Sequence, residues 1–421
     1  MKALRASLTN LEQLDLDELV NRWPRALREL AAMRDFEWGS RNLLQHTQHA
    51  LDWLAENAPE LEAAGRGPVS PWWERAAALR LAVIFRHSAL PHASCSNTTE
   101  EDITVSEALA SALICRQALR RAKVPFPTRA HAEALVRHSR QARELICSEA
   151  PAETFMRLAC KVDCQSLYSM SRAELEALGS DAEQRALDEI EAFREKCTSL
   201  SIFEGPPEPP VEPDRIAAAG FADTLEQHRM ANALRYFRVC QGISDAQHLL
   251  DRVSRESAMH RGRLNLLVGI AGSGKSQWAK KNLGQTTIVS SDEVRAEITG
   301  DPEDQSRNAK VFKICTERIY KTLREGGTAT LDATNYSEKL RNRPVATARL
   351  AGAEICTYFF DISLSEALKR NHSREREVPA AAIRKQWRRL TPPALYEADR
   401  HFLVDAQGEA EQYWPVRNAA A

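Results

Sequence analysis

Residues 266–283 read LLVGIAGSGKSQWAKKNL, and the fold of the second half of the chain follows from them. The apolar run Leu264 to Val268 suits a buried strand, the segment after Ser276 suits a helix, and between them stands G-x-x-x-x-G-K-S. Glycines let backbone N–H groups curl around phosphate oxygens, and a helix N-terminus adds partial positive charge. Gly269, Gly272, Ser273, Gly274, Lys275 and Ser276 are therefore expected to cradle a nucleoside triphosphate, ATP or another NTP. In such loops the lysine reaches the β and γ phosphates and the hydroxyl ligates Mg2+.

Downstream, β-rich runs alternate with helical ones: LNLLV, TTIVSSD, TATLD, EICTYFFD and HFLVDA. Strands separated by helices imply an α/β domain with a parallel sheet and helices on both faces, with ligands at the carboxyl ends of the strands. The second strand runs into SSDEVR, which puts Asp292 and Arg295 on one helix face. Asp292 is a candidate general base for an attacking hydroxyl, or else a helix N-cap. Arg295 is a candidate clamp for an acceptor phosphate. The third strand ends in LDATN, where Asp332 is a candidate Mg2+ partner of Ser276. Asn335 there is either an acceptor contact or a turn former.

The stretch LSEALKRNHSREREVPAAAIRKQWRRL follows the fourth strand and concentrates basic residues. Arg370, Arg374 and Arg376 bracket a loop ending at Val378-Pro379 and are candidates for a lid that balances charge on a transferred phosphoryl group. Arg374 and Arg376 are favoured for that duty, and Arg384, Arg388 and Arg389 for acceptor or surface duty.

The whole chain of 421 residues carries 57 Lys and Arg against 58 Asp and Glu, so any attraction to nucleic acid must come from local patches. Nine cysteines without a C-x-x-C pair suit free thiols in a reducing cytoplasm. No apolar run approaches the ~18 residues of a membrane span, and the N-terminus lacks the pattern of a signal peptide. FEGPPEPPVEPDR, residues 203–215, reads as an extended Pro-rich spacer. It predicts a multidomain chain: residues 1–200 an all-α domain, 201–215 a linker, 216–260 a helical lead-in, and 261–421 the P-loop domain.

GIAGSGKS, SSDEVR, LDATN and RNHSRERE-VP, in this order, resemble the 5′-hydroxyl polynucleotide kinase family of P-loop phosphotransferases over roughly residues 262–395. The resemblance implies transfer of a γ-phosphate to the 5′-OH ends of RNA or DNA, with Lys275, Asp292, Arg374 and Arg376 as catalytic residues and Arg295 next to the acceptor phosphate. A small-molecule P-loop kinase and a nucleotide-gated RNA-end-binding protein are the alternatives. Oligomeric state is left open, a homodimer among the options.

The helical half carries His46 and His49 in QHTQHALDWL, His87 in LAVIFRHS, His138 in ALVRHS and Asp163 in ACKVDCQSL. Their order is similar to that of HD-domain phosphohydrolases, and the tandem resembles HD-Pnk proteins, RNA end-healing enzymes that pair a 2′,3′-phosphatase with a 5′-kinase. Where that family has His-Asp, this chain has His87-Ser88. A neutral hydroxyl is a far weaker metal ligand than a carboxylate. The expectation is an inactive or weak module, with His49, His87 and Asp163 left to hold at most a single transition metal.

Overall fold

The computed structural model describes residues 14–23, 27–38, 41–57, 75–93, 106–179, 184–219, 224–242, 245, 247–248, 250–251, 262–302, 304–374 and 377–414. The chain divides into two compact units, residues 1–207 and 208–421.

In the first unit the described helices are α1 (Leu16–Arg22), α2 (Arg28–Arg34), α3 (Leu43–Asn57), α4 (Arg75–Phe85), α5 (Leu90–Ala93), α6 (Glu107–Arg121), α7 (Phe126–His138), α8 (Gln141–Cys147), α9 (Ala152–Ala159), α10 (Cys164–Leu178) and α11 (Gln184–Ser199). Their apolar spacing sets the packing: α3 lies on α10, α4 and α6 on α7, and α8 and α10 on α11. α4 is nearly apolar all round and runs through the middle, with Ala78, Leu81, Ala82, Ile84 and Phe85 fully buried. The unit is not purely helical. Strands β1 (Glu37–Trp38) and β2 (Arg41–Asn42) pair antiparallel.

In the second unit α12 (Pro213–Ala218) starts inside the stretch expected to be extended throughout. Proline lacks only an N–H that the first helical turn leaves unbonded anyway, and its fixed φ suits that turn. α13 (Thr224–Gln241) follows. It belongs to the body of this unit, since buried Tyr236 reaches the backbone carbonyl of Asn342 at 3.2 Å and packs on Tyr396.

The remaining elements are β3 (Arg263–Val268), α14 (Lys275–Asn282), β4 (Thr287–Ser290), α15 (Ser291–Thr299), α16 (Asn308–Arg324), β5 (Thr328–Asp332), α17 (Glu338–Leu350), β6 (Glu354–Phe360), α18 (Leu364–His372), α19 (Ala380–Arg389), β7 (Arg400–Val404) and β8 (Ala410–Trp414). The strand order is β4-β5-β3-β6-β7-β8. All neighbours are parallel except β8, which pairs antiparallel with β7 at the edge. The expected parallel sheet thus ends in an antiparallel strand that the sequence pattern did not announce. The chain leaves β3 toward β4 on one side and leaves β5 toward β6 on the other, so the end of β3 lies at the switch point where such sheets bind ligands.

Candidate active site at the end of β3

β3 is buried from Leu264 onward, which fixes the point where the phosphate loop emerges. The loop is held close to the sheet because two of its glycines have no room for a side chain. A Cβ at Gly269 would come within 2.8 Å of Ser273 Oγ and 3.0 Å of Phe360 Cβ. At Gly272, in the left-handed region at φ 78°, a Cβ would meet the Ala367 carbonyl oxygen on α18 at 2.3 Å. Gly272→Ala should therefore cost about 1–2 kcal/mol in backbone conformation alone, and it should push α18 off the loop. Urea unfolding and nucleotide binding, followed together, should both weaken; unchanged stability would show that α18 gives way freely.

Lys275 opens α14 with its ammonium buried, donating to Ile270 O at 2.7 Å and Ser273 Oγ at 3.2 Å. Burial pulls its pKa down to about 8, partly opposed by Asp332 and Asp292 and reinforced by Arg374. The charges that act on Lys275 come from three elements: Asp332 from β5, Asp292 from α15 and Arg374 from the segment after α18.

Asp332 ends β5, directly paired with Ser290 of β4, and is buried. Ser276 is exposed at the second residue of α14. A hydroxyl and one carboxylate are hard oxygen donors of the kind Mg2+ takes alongside phosphate oxygens, so these residues fit that ion.

The N-cap of α15 is Ser290, whose side chain accepts from Glu293 N, so Asp292 is not used as the cap. Its side chain is 60% exposed, and Oδ1 accepts from Arg295 Nη1 at 2.7 Å. Arg295 itself is buried: Nη1 also donates to Pro302 O, and Nη2 donates to Asn308 Oδ1 at 3.1 Å. The arginine expected to be an open phosphate clamp is instead anchored between α15 and α16, where it orients Asp292.

Asn335 also differs from the acceptor-contact reading. It is buried in the left-handed region at φ 45°, and Nδ2 donates to Leu267 O at 2.9 Å. Its carbonyl accepts from the buried Arg341 at 3.0 Å. Asn335 is a strand-end turn that ties the exit of β5 to the end of β3.

Over the loop lie α18 and α19. Arg370 donates to Glu366 at 2.7 Å and to Ala406 O at 2.7 Å, and its Nη1 stands 3.6 Å from where a Gly274 Cβ would be. It is a fixed guanidinium on the rim. Arg374 is exposed, and Arg376 lies outside the described residues. Asn371, buried, donates to Val378 O at 2.9 Å and accepts from Val378 N at 3.0 Å, closing the segment between them at its base. On α19, Ile383 and Trp387 are buried while Arg384, Arg388 and Arg389 are exposed. Two residues had drawn no attention in the sequence: Asn371, and Gln386, whose Oε1 accepts from the loop's Ala271 N–H at 2.8 Å. Nothing local signals either contact.

In the first unit the suspected ligands have separate partners. His49 is exposed and contacts Arg41. Asp163 pairs with Arg75 and caps α10 through Ser166 N at 3.0 Å. Burial pushes its carboxyl up, with Arg75 pulling the other way. His87 Nε2 meets Glu174 at 2.7 Å and Nδ1 meets Glu107 at 3.3 Å, and Arg86 bridges the same two glutamates. Burial alone would lower the His87 pKa, but the two glutamates outweigh it and raise it. Burial holds neighbouring His46 down to about 4. His138 makes a 3.1 Å contact with Gln141. The Ser88 hydroxyl turns back to Phe85 O at 2.9 Å. Among the described residues no group of three or more His, Cys, Asp or Glu side chains is placed to hold a metal, and no helix is long and apolar enough to cross a membrane.

Comparison with known proteins agrees with the geometry of the second unit. Residues 264–393 match the family model described as an AAA domain. A relative from Autographa californica nuclear polyhedrosis virus, named "Putative bifunctional polynucleotide kinase/RNA ligase", is 29% identical over 144 residues, covering 30% of this chain and 21% of the relative. The chain thus spans about a fifth of the length of the curated relative it matches. Loop, sheet and comparisons together show a kinase-like P-loop domain, of the phosphotransferase type, in the second unit.

Proposed function

We propose that the second unit is a polynucleotide 5′-hydroxyl kinase, moving the γ-phosphate of ATP or another NTP to 5′-OH ends of RNA or DNA during end healing. The observation that carries this reading is the exposed Asp292 carboxylate, held by Arg295 in the first turn of the helix that leaves β4 where Ser290 pairs with Asp332. A hydrolase needs only to place water. A carboxylate on the open rim suits a hydroxyl acceptor brought from outside.

In this reading the acceptor hydroxyl gives its proton to Asp292 as its oxygen bonds to the γ-phosphorus. The bond from that phosphorus to the β–γ bridging oxygen breaks, and the electron pair leaves with the nucleoside diphosphate. Lys275 and Arg374 offset the charge that grows on the transferred group and on the leaving phosphate. Mg2+, held by Ser276 and Asp332, would supply charge neutralisation of the triphosphate. Arg384, Arg388 and Arg389, exposed on α19, favour a polyanionic acceptor over a small neutral one, and the name of the viral relative favours a polynucleotide.

The first unit enters as a structural or RNA-binding module, a reading supported by the way Arg75 and Arg86 occupy its carboxylates.

The test is incubation of the full chain with γ-labelled ATP, magnesium and 5′-OH oligonucleotides of RNA and DNA, beside a panel of small hydroxylated metabolites. Label is expected on the oligonucleotide 5′ end. Label on a metabolite and none on any oligonucleotide would overturn the reading.

A further inference from the structure

A side-chain contact from Gln386 joins α19 to the phosphate loop, and it is made at a group a phosphate would want. Ala271 N–H sits within the buried loop, and a backbone N–H can only donate. The Gln386 atom facing it is therefore the oxygen, and its NH2 is turned away. The side chain springs from a helix whose neighbouring Ile383 and Trp387 are buried, so the backbone of α19 is fixed and only the amide is free to turn.

When a triphosphate enters, an anionic phosphate oxygen competes for the same N–H, and charge-assisted bonds are roughly twice as strong as neutral ones. The displaced amide then abuts that oxygen. The terminal torsion of glutamine is broad and roughly two-fold, so a half-turn costs little. It brings the two Nε2 donors to the phosphate. Resting on the reading of residues 269–276 as a phosphate loop, we propose that Gln386 is a donor-phosphate ligand that works by flipping its amide, standing in for a phosphate oxygen when the loop is empty and donating to one when it is filled. The nucleotide would thereby be tied to the helix that carries Arg384, Arg388 and Arg389.

The experiment is calorimetric binding of a non-hydrolysable ATP analogue to the full chain and to Gln386→Ala and Gln386→Glu, without acceptor, with melting curves as a control for folding. Gln386→Ala loses one donor and should bind about 5–10-fold more weakly. Gln386→Glu keeps an acceptor for Ala271 N–H but has no donor and adds a negative charge beside the phosphate, so its affinity should fall about 100-fold or more. The order wild type, Ala, Glu is the expected result. If the contact served only to hold α19, Gln386→Glu would preserve it and Ala would be the weaker binder, which overturns the proposal. Tighter binding by Gln386→Ala would make Gln386 a plain competitor, which also overturns it. Acceptor identity plays no part in the measurement, so failure of the 5′-OH reading would leave this result standing. Absence of binding by the wild-type chain would refute the phosphate-loop reading and this proposal with it.

Discussion

Exchanging Asp292 for asparagine is expected to lower the rate of phosphoryl transfer about 10²–10⁴-fold, the usual contribution of a positioned general base. Asparagine keeps the shape and keeps an oxygen for Arg295 Nη1, so the first turn of α15 and its anchorage to Pro302 and Asn308 should survive. What it loses is the ability to receive a proton. ATP affinity, which depends on the loop rather than on α15, should change little. Rates with a labelled donor, set beside calorimetric ATP binding, separate the two effects, and a rate within tenfold of wild type would remove Asp292 from the chemistry. Arg295→Lys offers a companion measurement: it retains a charge but not the fork that reaches three acceptors. It should depress kcat through Asp292 while leaving ATP binding near wild type.

The largest expected loss of stability is at Asp399. This carboxylate is fully buried, accepts from Arg349 Nη1 at 2.7 Å and from Ile355 N at 2.8 Å, and so joins α17, β6 and the start of β7. Removing one partner of a buried pair strands the other charge, at a cost of about 3–5 kcal/mol. Against a typical folding free energy of about 5–15 kcal/mol that is a large share. Asp399→Ala should shift the urea midpoint of the second unit sharply, and Asp399→Asn, which still accepts from Ile355 N, should lose less. A loss below about 1 kcal/mol for the alanine variant would mean that Arg349 finds water or another acceptor.

The parts of this protein that were legible in its sequence are those whose cause is local. The phosphate loop, the placing of Asp292 and Arg295 on one helix face and strands β3, β5 and β6 are set by spacing within a few residues. Strand β8 was missed because AEQYW has the mixed polarity of an edge and gains its identity only by pairing with β7. The role of Arg295 could not be read because its burial depends on Pro302 and Asn308, which fold over it. Asn335 was ambiguous for the reason that its left-handed turn is stabilised by Leu267, 68 positions away. Gln386 stood in plain view among arginines, yet its partner lies 115 residues upstream. In the first unit the histidines were visible in or beside their helices, but Glu174, which pairs with His87, is 87 residues distant.

The pair of hydrogen bonds between Asn371 and Val378 has a consequence for how this domain could be re-engineered. Both backbone groups of Val378 are held by one buried side chain, so residues 371 and 378 stay together whatever the chain between them contains. The segment is in effect a cassette with a built-in clasp. Lengthening such a loop twofold costs only about 0.6 kcal/mol in closure entropy. The number and reach of its arginines can therefore be varied, by design or by descent, without moving the two helices that frame it.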